Sequence, residues 1–311
     1  MARAREAPDF TLSERLGPYY KYLLLSPLVI FLLVFFFGPL VWLFRVSLYV
    51  SGGKSGFGIG GAEGSGGGGF YQEGTWTIAN YTRFFTDDYF QAITMFTVEL
   101  AILVTVVTML LAYPFSYYIY KASPRLKLIL LVVVILPKLS NMLVLVYGLQ
   151  IILANNGIVN QTLLALGIID EPVKLVYNLF SVVVSKVLLI IPYTILVITA
   201  TLHALDPTLR DAAKGMGASP LRAFFTVTLP LSMPGTLVAL LITIVWALGA
   251  FVSPALLGNP NLQTLAVEVP KQTFENVNWA MGSALAFVML ALMFLVVLIY
   301  NWALSARMQW R

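Results

Sequence analysis

Asp211-Ala212-Ala213-Lys214-Gly215-Met216-Gly217, followed after nine residues by Val227-Thr228-Leu229-Pro230, decides how this chain is read. The stretch is polar and carries helix punctuation, yet long apolar runs flank it on both sides. Asp206 is a good N-cap, and Pro207 stands at the first helical position, where its missing N–H costs nothing. Leu209, Ala212, Ala213 and Met216 recur at i, i+3, i+4 and i+7 and form one apolar stripe, with Thr208, Arg210, Asp211 and Lys214 facing the other way. Gly217 suits the left-handed residue that ends a helix. Ser219-Pro220 repeats the cap-plus-proline start, and Pro230 with Pro234-Gly235 are expected to close that second short helix. The pattern predicts a helix–turn–helix lying along a membrane face, with alanines at the centre of the stripe that would let another backbone approach closely. A surface connector resting on lipid headgroups satisfies the same local chemistry.

The flanking runs set the context. Of the 311 residues, 59% are apolar and only 11% charged, outside the range of an ordinary soluble domain. Six runs approach or exceed the length of about 20 apolar residues that crosses a bilayer core. They lie at roughly 22–44, 92–119, 128–152, 175–202, 235–257 and 281–304. They are continuously apolar rather than alternating, which disfavours a β-barrel. The expected fold class is an all-α polytopic membrane protein. Its parts are a tail at 1–21, a first helix at 22–44, an outer segment at 45–91, a five-helix core at 92–304 containing a loop at 203–234, and a tail at 305–311. The first run is too long for a signal-peptide core and no small-residue cleavage pattern follows it, so it is read as a helix.

Composition also excludes function classes. There are no cysteines and one histidine, His203, so nothing suggests disulfides, thiol chemistry or a metal cluster. With both termini placed in the cytoplasm, twelve cations fall on that side: Arg3, Arg5, Arg15, Lys21, Lys121, Arg125, Lys127, Arg210, Lys214, Arg222, Arg307 and Arg311. Five fall outside: Arg45, Lys54, Arg83, Lys174 and Lys271. The positive-inside rule therefore puts the 203–234 loop in the cytoplasm. These cations are spread over four membrane-proximal segments rather than gathered on one face, so nucleic-acid binding is set aside.

The outer segment contains a Gly-rich insert at 51–69, with glycine at eleven of nineteen positions, which reads as a flexible tether. Gly53-Lys54-Ser55 has the letters that end a phosphate-binding loop, but the required earlier glycine falls at Leu48. Gly56-Phe57-Gly58-Ile59-Gly60-Gly61 fits a dinucleotide spacing by letters alone, without a strand before it or a helix after it. The expectation is that the chain has no ATP site of its own. Residues 75–91 are amphipathic and aromatic, as an interfacial helix leading into the second span would be. The outer segments at 153–174 and 258–280 are short enough to be packed and polar enough to meet a partner.

Three ionisable groups fall inside spans: Glu99, Lys138 and Lys186. At a bilayer centre each costs roughly 2.5–3.5 kcal/mol on insertion scales, so each should face protein or water. One reading makes Glu99 the ion-pair partner of a lysine across helices. The other has some of the three lining a solute path. Glu99, Tyr147, Trp246 and Phe251 could offer a carboxylate and aromatic faces to a cation. Two lysines against one glutamate point instead to an anionic or zwitterionic solute. Asn141 fits either, and Pro137, Gly249 and Pro254 allow helix distortion beside a cavity.

The loop spacing resembles the cytoplasmic signature of the permease subunits of binding-protein-dependent ABC importers. That signature runs Glu-Ala-Ala, three residues, Gly, nine residues, an aliphatic residue, one residue, Leu-Pro. Asp211 stands for the usual Glu, Val227 for the usual Ile, and Gly217, Leu229 and Pro230 complete it. The likeness extends from about residue 76 to the C-terminus and is nearest to the spermidine/putrescine-type branch. It is carried by Ala112-Tyr113-Pro114, Leu136-Pro137, Gly157-Ile158-Val159-Asn160, Leu205-Asp206-Pro207, Phe251-Val252-Ser253-Pro254-Ala255-Leu256-Leu257-Gly258 and Asn278-Trp279-Ala280-Met281-Gly282. The resemblance implies a six-helix importer-permease (MetI-like) fold in the bacterial inner membrane, with no catalytic residues. It also implies a second, homologous permease, two ATPase subunits that bind ATP and Mg, and an extracytoplasmic solute-binding protein. Residues 206–222 would be the coupling helix seated in an ATPase groove. The chain departs from relatives in the third span, where Leu145-Val146-Tyr147-Gly148-Leu149 replaces a Tyr-Ala-Trp run and Lys138 stands where an aromatic is usual. The Gly-rich insert is outside the common pattern too.

Two other classes remain open on residues alone. An ion-coupled secondary transporter could use Glu99, Lys138 and Lys186 as a proton relay, although such folds usually carry internal repeats and none is evident. A membrane enzyme would need clustered acid–base or metal-binding groups, which are scarce here.

Overall fold

The computed structural model describes residues 20–51, 71–259 and 262–308. Residues 1–19 and 309–311 of the expected tails, residues 52–69 of the Gly-rich insert, Phe70 and Pro260-Asn261 lie outside the described residues. Among the described residues six helical stretches are long and apolar enough to cross a membrane: Leu24–Ser47, Asp88–Lys121, Met142–Ala165, Leu179–His203, Pro220–Gly249 and Trp279–Trp302.

The chain enters through α1 (Tyr20–Leu32), a π turn (Leu33–Phe37) and α2 (Gly38–Ser47). β1 (Tyr49–Ser51) and β2 (Tyr71–Trp76) then pair antiparallel, with Ser51 opposite Tyr71 and Val50 opposite Gln72. The sequence reading has no strand here, and this hairpin corrects it. β1 is three residues long and cannot show a period-2 pattern. The pairing holds the two described ends of the Gly-rich insert side by side. Arg45 donates to the Tyr49 hydroxyl and lies over the rings of Trp42, Tyr49 and Trp76, as suits a cation and aromatics at a membrane interface. The expected interfacial helix is α3 (Ala79–Thr86), shorter than 75–91 because β2 occupies the start of that range.

α4 (Asp88–Lys121), α8 (Leu179–His203) and α11 (Leu229–Gly249) form the central trio. Asp87 caps α4 by accepting from the Tyr89 N–H, and Asn178 with Ser181 makes a reciprocal capping box on α8. Within the trio, buried aliphatic side chains such as Leu100, Ile190, Ile198 and Leu248 are interspersed with small and hydroxylic ones. Thr194 and Thr243 bond across α8 and α11 at 2.8 Å, and Tyr113 meets Ser232 at 2.8 Å. Gly235 marks the closest approach: a Cβ there would lie 2.1 Å from the Thr201 hydroxyl oxygen. Small residues let helices pack where lipid supplies no hydrophobic drive between them.

The third span is broken. α5 (Pro124–Ile135) passes into a 3₁₀ turn (Leu136–Leu139) holding Pro137 and Lys138, and the chain restarts at α6 (Met142–Leu153), capped by the Asn141 side chain. α7 (Ile158–Ala165) follows, so the apolar stretch of this region runs over Met142–Ala165 rather than the expected 128–152. The fifth span likewise stops at Gly249 and resumes as α12 (Val252–Leu257). Between the fourth and fifth spans lie α9 (Pro207–Gly215) and α10 (Pro220–Ala223). The second short helix does not end at Pro230 and Pro234-Gly235. Instead, a π turn (Phe224–Thr228) carries α10 directly into α11. The Leu229 N–H bonds back to Phe224, so the widened turn absorbs the hydrogen-bond mismatch ahead of Pro230. α13 (Leu265–Pro270), a π turn (Lys271–Glu275) and α14 (Trp279–Met308) complete the chain, with α14 packed on α2 and α13.

Candidate functional site

Two regions bring the singled-out residues together. The first is the helix pair α9–α10. The Asp206 carboxylate accepts from the Thr208 N–H at 2.9 Å and the Thr208 hydroxyl at 2.8 Å, and these bonds hold it below the usual carboxylate range. At the other end Gly217 takes φ +88°. The Ala218 N–H reaches the Ala213 carbonyl at 3.1 Å and the Gly217 N–H reaches Lys214 at 2.9 Å, a Schellman closure. Ser219 then caps α10 by accepting from the Arg222 N–H. Two caps and one left-handed glycine thus fix the angle between the helices.

The stripe divides on folding. Ala213 is buried, whereas Leu209, Ala212 and Met216 stay exposed, Met216 at 84%. Exposed Leu221 and Phe225 extend this apolar patch. Arg210 departs from the expected outward face. Its guanidinium carbon lies 5.8 Å from the Tyr120 ring centre on α4, and its Nε is buried 3.6 Å from the Asp211 carboxylate. The same carboxylate is 3.4 Å from the Lys214 ammonium. Asp211 therefore braces two cations of its own helix. Leu229 and Pro230 are half-buried at the head of α11 and sit behind the exposed patch. His203 closes the region from above, with its Nδ1 2.8 Å from the Thr199 carbonyl and its Nε2 2.6 Å from the Lys127 ammonium.

The second region lies where the breaks in the third and fifth spans meet α8. A cavity of about 370 Å³ opens there, lined by Met142, Leu189, Trp246 and Phe251, with Lys186 at its wall. Lys186 is fully buried and donates to the Ala247 carbonyl at 2.9 Å, in the last turn of α11. A cation there complements the negative helix end. Lys138 donates to the Leu189 carbonyl. Its ammonium also lies 4.5 Å from the Tyr193 ring centre and 5.5 Å from that of Trp246. Tyr193 and Trp246 in turn lie 5.0 Å apart, so the ammonium sits in a two-ring clamp.

Of the expected path residues, Lys138, Trp246 and Phe251 gather here, and Asn141 caps the helix whose first residue lines the cavity. Tyr147, half-exposed farther along α6, does not line the cavity. Glu99 corrects the ion-pair reading: it is exposed on α4 and pairs with neither lysine. The face it shares with Met95, Ile102, Val106 and Leu110 has no partner within the described chain. Sequence reasoning missed Tyr193, which sits beside Pro192 in an otherwise aliphatic span; only the need to neutralise Lys138 across helices could have signalled it. It also missed Glu268, a buried carboxylate that accepts from Tyr89 at 2.8 Å and Gln272 at 2.7 Å and lies 3.6 Å from Lys271. That cluster ties the segment before α14 to the start of α4.

The fold is thus a bundle with breaks in the third and fifth spans and an exposed, capped helix pair between the fourth and fifth. The profile of the family described as "Binding-protein-dependent transport system inner membrane component" matches residues 76–308, and the chain belongs to this family. It is a non-catalytic, multi-pass permease subunit of the inner membrane. Among curated proteins it is 31% identical over 224 residues to the spermidine/putrescine transport system permease protein PotB of Haemophilus influenzae, covering 72% of this chain and 78% of that one. It is 32% identical over 226 residues to PotB of Escherichia coli K12, covering 72% and 81%. Among solved structures it is similar to a chain of the bacterial alginate ABC transporter, crystallised in complex with an alginate pentasaccharide-bound periplasmic protein. That likeness has a TM-score of 0.74 at 17% identity and covers 96% of this chain and 98% of the other. Membership sets aside the secondary-transporter and enzyme readings.

Proposed function

We propose that this chain forms half of a solute pathway through the membrane, paired with a second homologous permease, and is driven through residues 206–222 by two ATPase subunits that bind ATP and Mg. An extracytoplasmic binding protein delivers a small polar organic solute: likeness to the spermidine/putrescine permeases favours a polyamine type, and the two lysines inside the spans favour an anion or zwitterion. Both termini and the α9–α10 pair face the cytoplasm in this reading, which the cation distribution along the sequence supports. The observation that carries it is the patch of Leu209, Ala212, Met216, Leu221 and Phe225, exposed on a helix pair fixed by two caps and a left-handed glycine. An apolar patch rimmed by Arg222, Asp211 and Lys214 is the chemistry of a protein-docking surface. The Glu99 face of α4 supports the second permease, because hydrocarbon covers a carboxylate only at a cost of some kcal/mol. ATP-driven closure of the ATPases would rock the two permeases between inward-open and outward-open states.

The test is Ala212→Arg, a change at an exposed position that leaves the Ala213 packing untouched. Membrane level and thermal stability of the permease should stay unchanged while the ATPase no longer co-purifies. Undiminished co-purification of this variant would reject the docking assignment.

A further inference from the structure

The cavity wall carries one cation, Lys186, and a second, Lys138, lies against two of the lining residues, Leu189 and Trp246; the signs around them decide what can enter. Neither Lys138 nor Lys186 has a carboxylate within ion-pair distance among the described residues, and no Asp or Glu lines the cavity. Of the three rings here that could attract a solute ammonium, Tyr193 and Trp246 already hold the chain's own ammonium, Lys138, and Phe251 is left without a carboxylate beside it on the cavity wall. A polyamine would have to displace Lys138 or lie against Phe251 alone, in either case sharing an acid-free cavity with Lys186.

An anionic group meets the opposite situation. The Lys138 ammonium has three N–H donors, one of which goes to Leu189, and both Leu189 and Trp246 line the cavity. Lys186 adds its charge from behind, with the Ala247 carbonyl fixing its position. Met142, Ile190 and Phe251 offer apolar wall for a small organic body. We infer that the solute carried past this cavity is an organic anion or zwitterion whose carboxylate or similar head group pairs with Lys138, and that it is not a polyamine. The inference rests on the reading of the chain as an importer permease and narrows the solute class of that same pathway. Lys138 is its solute-contacting residue, and Lys186 is a positioning residue at the break in the fifth span.

The chain contains no cysteine, so a single introduced thiol reports the local potential without background from this subunit. Met142→Cys and Phe251→Cys, both at exposed lining positions, are made in the assembled permease–ATPase complex. Each is labelled with anionic sulfonatoethyl and cationic trimethylammonioethyl methanethiosulfonate, and rates are normalised to a free thiol. A cavity of one sign concentrates counter-ions, so the anionic reagent should win by roughly tenfold or more. Adding Lys138→Met should remove most of that preference, and Lys138→Arg should keep it. Glutamate or succinate should slow the labelling, and spermidine should not. Faster labelling by the cationic reagent, or protection by spermidine but not by the acids, would overturn the inference. Failure of the importer reading has a separate signature, loss of the ATPase from the purified complex, which the labelling rates do not use.

Discussion

Gly217 shows how much one residue can hold. Its φ of +88° closes α9 and aims α10, and an L side chain with Cβ pays roughly 1–2 kcal/mol to sit in the left-handed region. Gly217→Val should therefore unwind the last turn of α9, lowering ATPase retention while membrane level holds; retention equal to the parent protein would show the turn to be dispensable. Asp206 makes a pH prediction of definite sign. The Thr208 bonds depress its folded-state titration, so the cap's contribution is fully present above the ordinary carboxylate range and is lost as pH falls through the depressed value. Amide hydrogen exchange over 207–215 should stay slow at neutral pH and quicken only in strong acid, whereas Asp206→Ala should be fast at every pH. These caps were readable because capping is a chemistry of neighbours: Asp206, Pro207, Gly217, Ser219 and Pro220 sit beside the groups they serve. Arg210 was not, because Tyr120, the ring it meets, belongs to a helix distant in sequence.

At the scale of elements, helix contact is set by what is absent from the interface. A Cβ at Gly235 would collide with Thr201, so Gly235→Leu forces α11 away from α8 and should cost about 1–3 kcal/mol or more, as overpacked cores do. Thermal unfolding of the purified permease would register that as a lower midpoint, and an unchanged midpoint would mean the helices are not closely apposed there. Thr243→Val, which removes the Thr194 bond, should be milder, near the ~0.6 kcal/mol typical of hydrogen bonds between membrane helices. The six spans and the break at Pro137 were legible because length and proline act locally. The continuation through Pro230 and Pro234 was not. In a soluble protein two prolines end a helix, but at a membrane surface the backbone must stay bonded, and the π turn at 224–228 supplies the slack. The β1–β2 hairpin escaped notice because the Gly-rich insert separates its two short strands.

For the whole molecule, three features agree on one direction of working. Among the described residues Lys121, Lys127, Arg210, Lys214 and Arg222 stand on the capped helix pair or at the helix ends beside it, that pair presents an apolar patch, and the broken spans open a cavity in the bundle. The class of protein was legible because its signature is a short run of caps, alanines and glycine in one loop. The cavity was legible only as scattered ionisable residues, since the chain cannot announce that Lys138 will meet Tyr193 and Trp246 or that Glu99 will face outward alone. Only packing decides which of several buried charges share a wall. The central claim is that α9 and α10 are the lever through which separate ATPase subunits move the bundle. Met216→Cys, placed at the most exposed point of the patch in a chain without other thiols, tests it most directly. With a short thiol-to-amine crosslinker in native membranes, Met216→Cys should join this chain to an ATPase subunit, and ATP should alter the yield. A thiol that reacts only with an impermeant reagent added from outside, or that never captures the ATPase, would contradict the account.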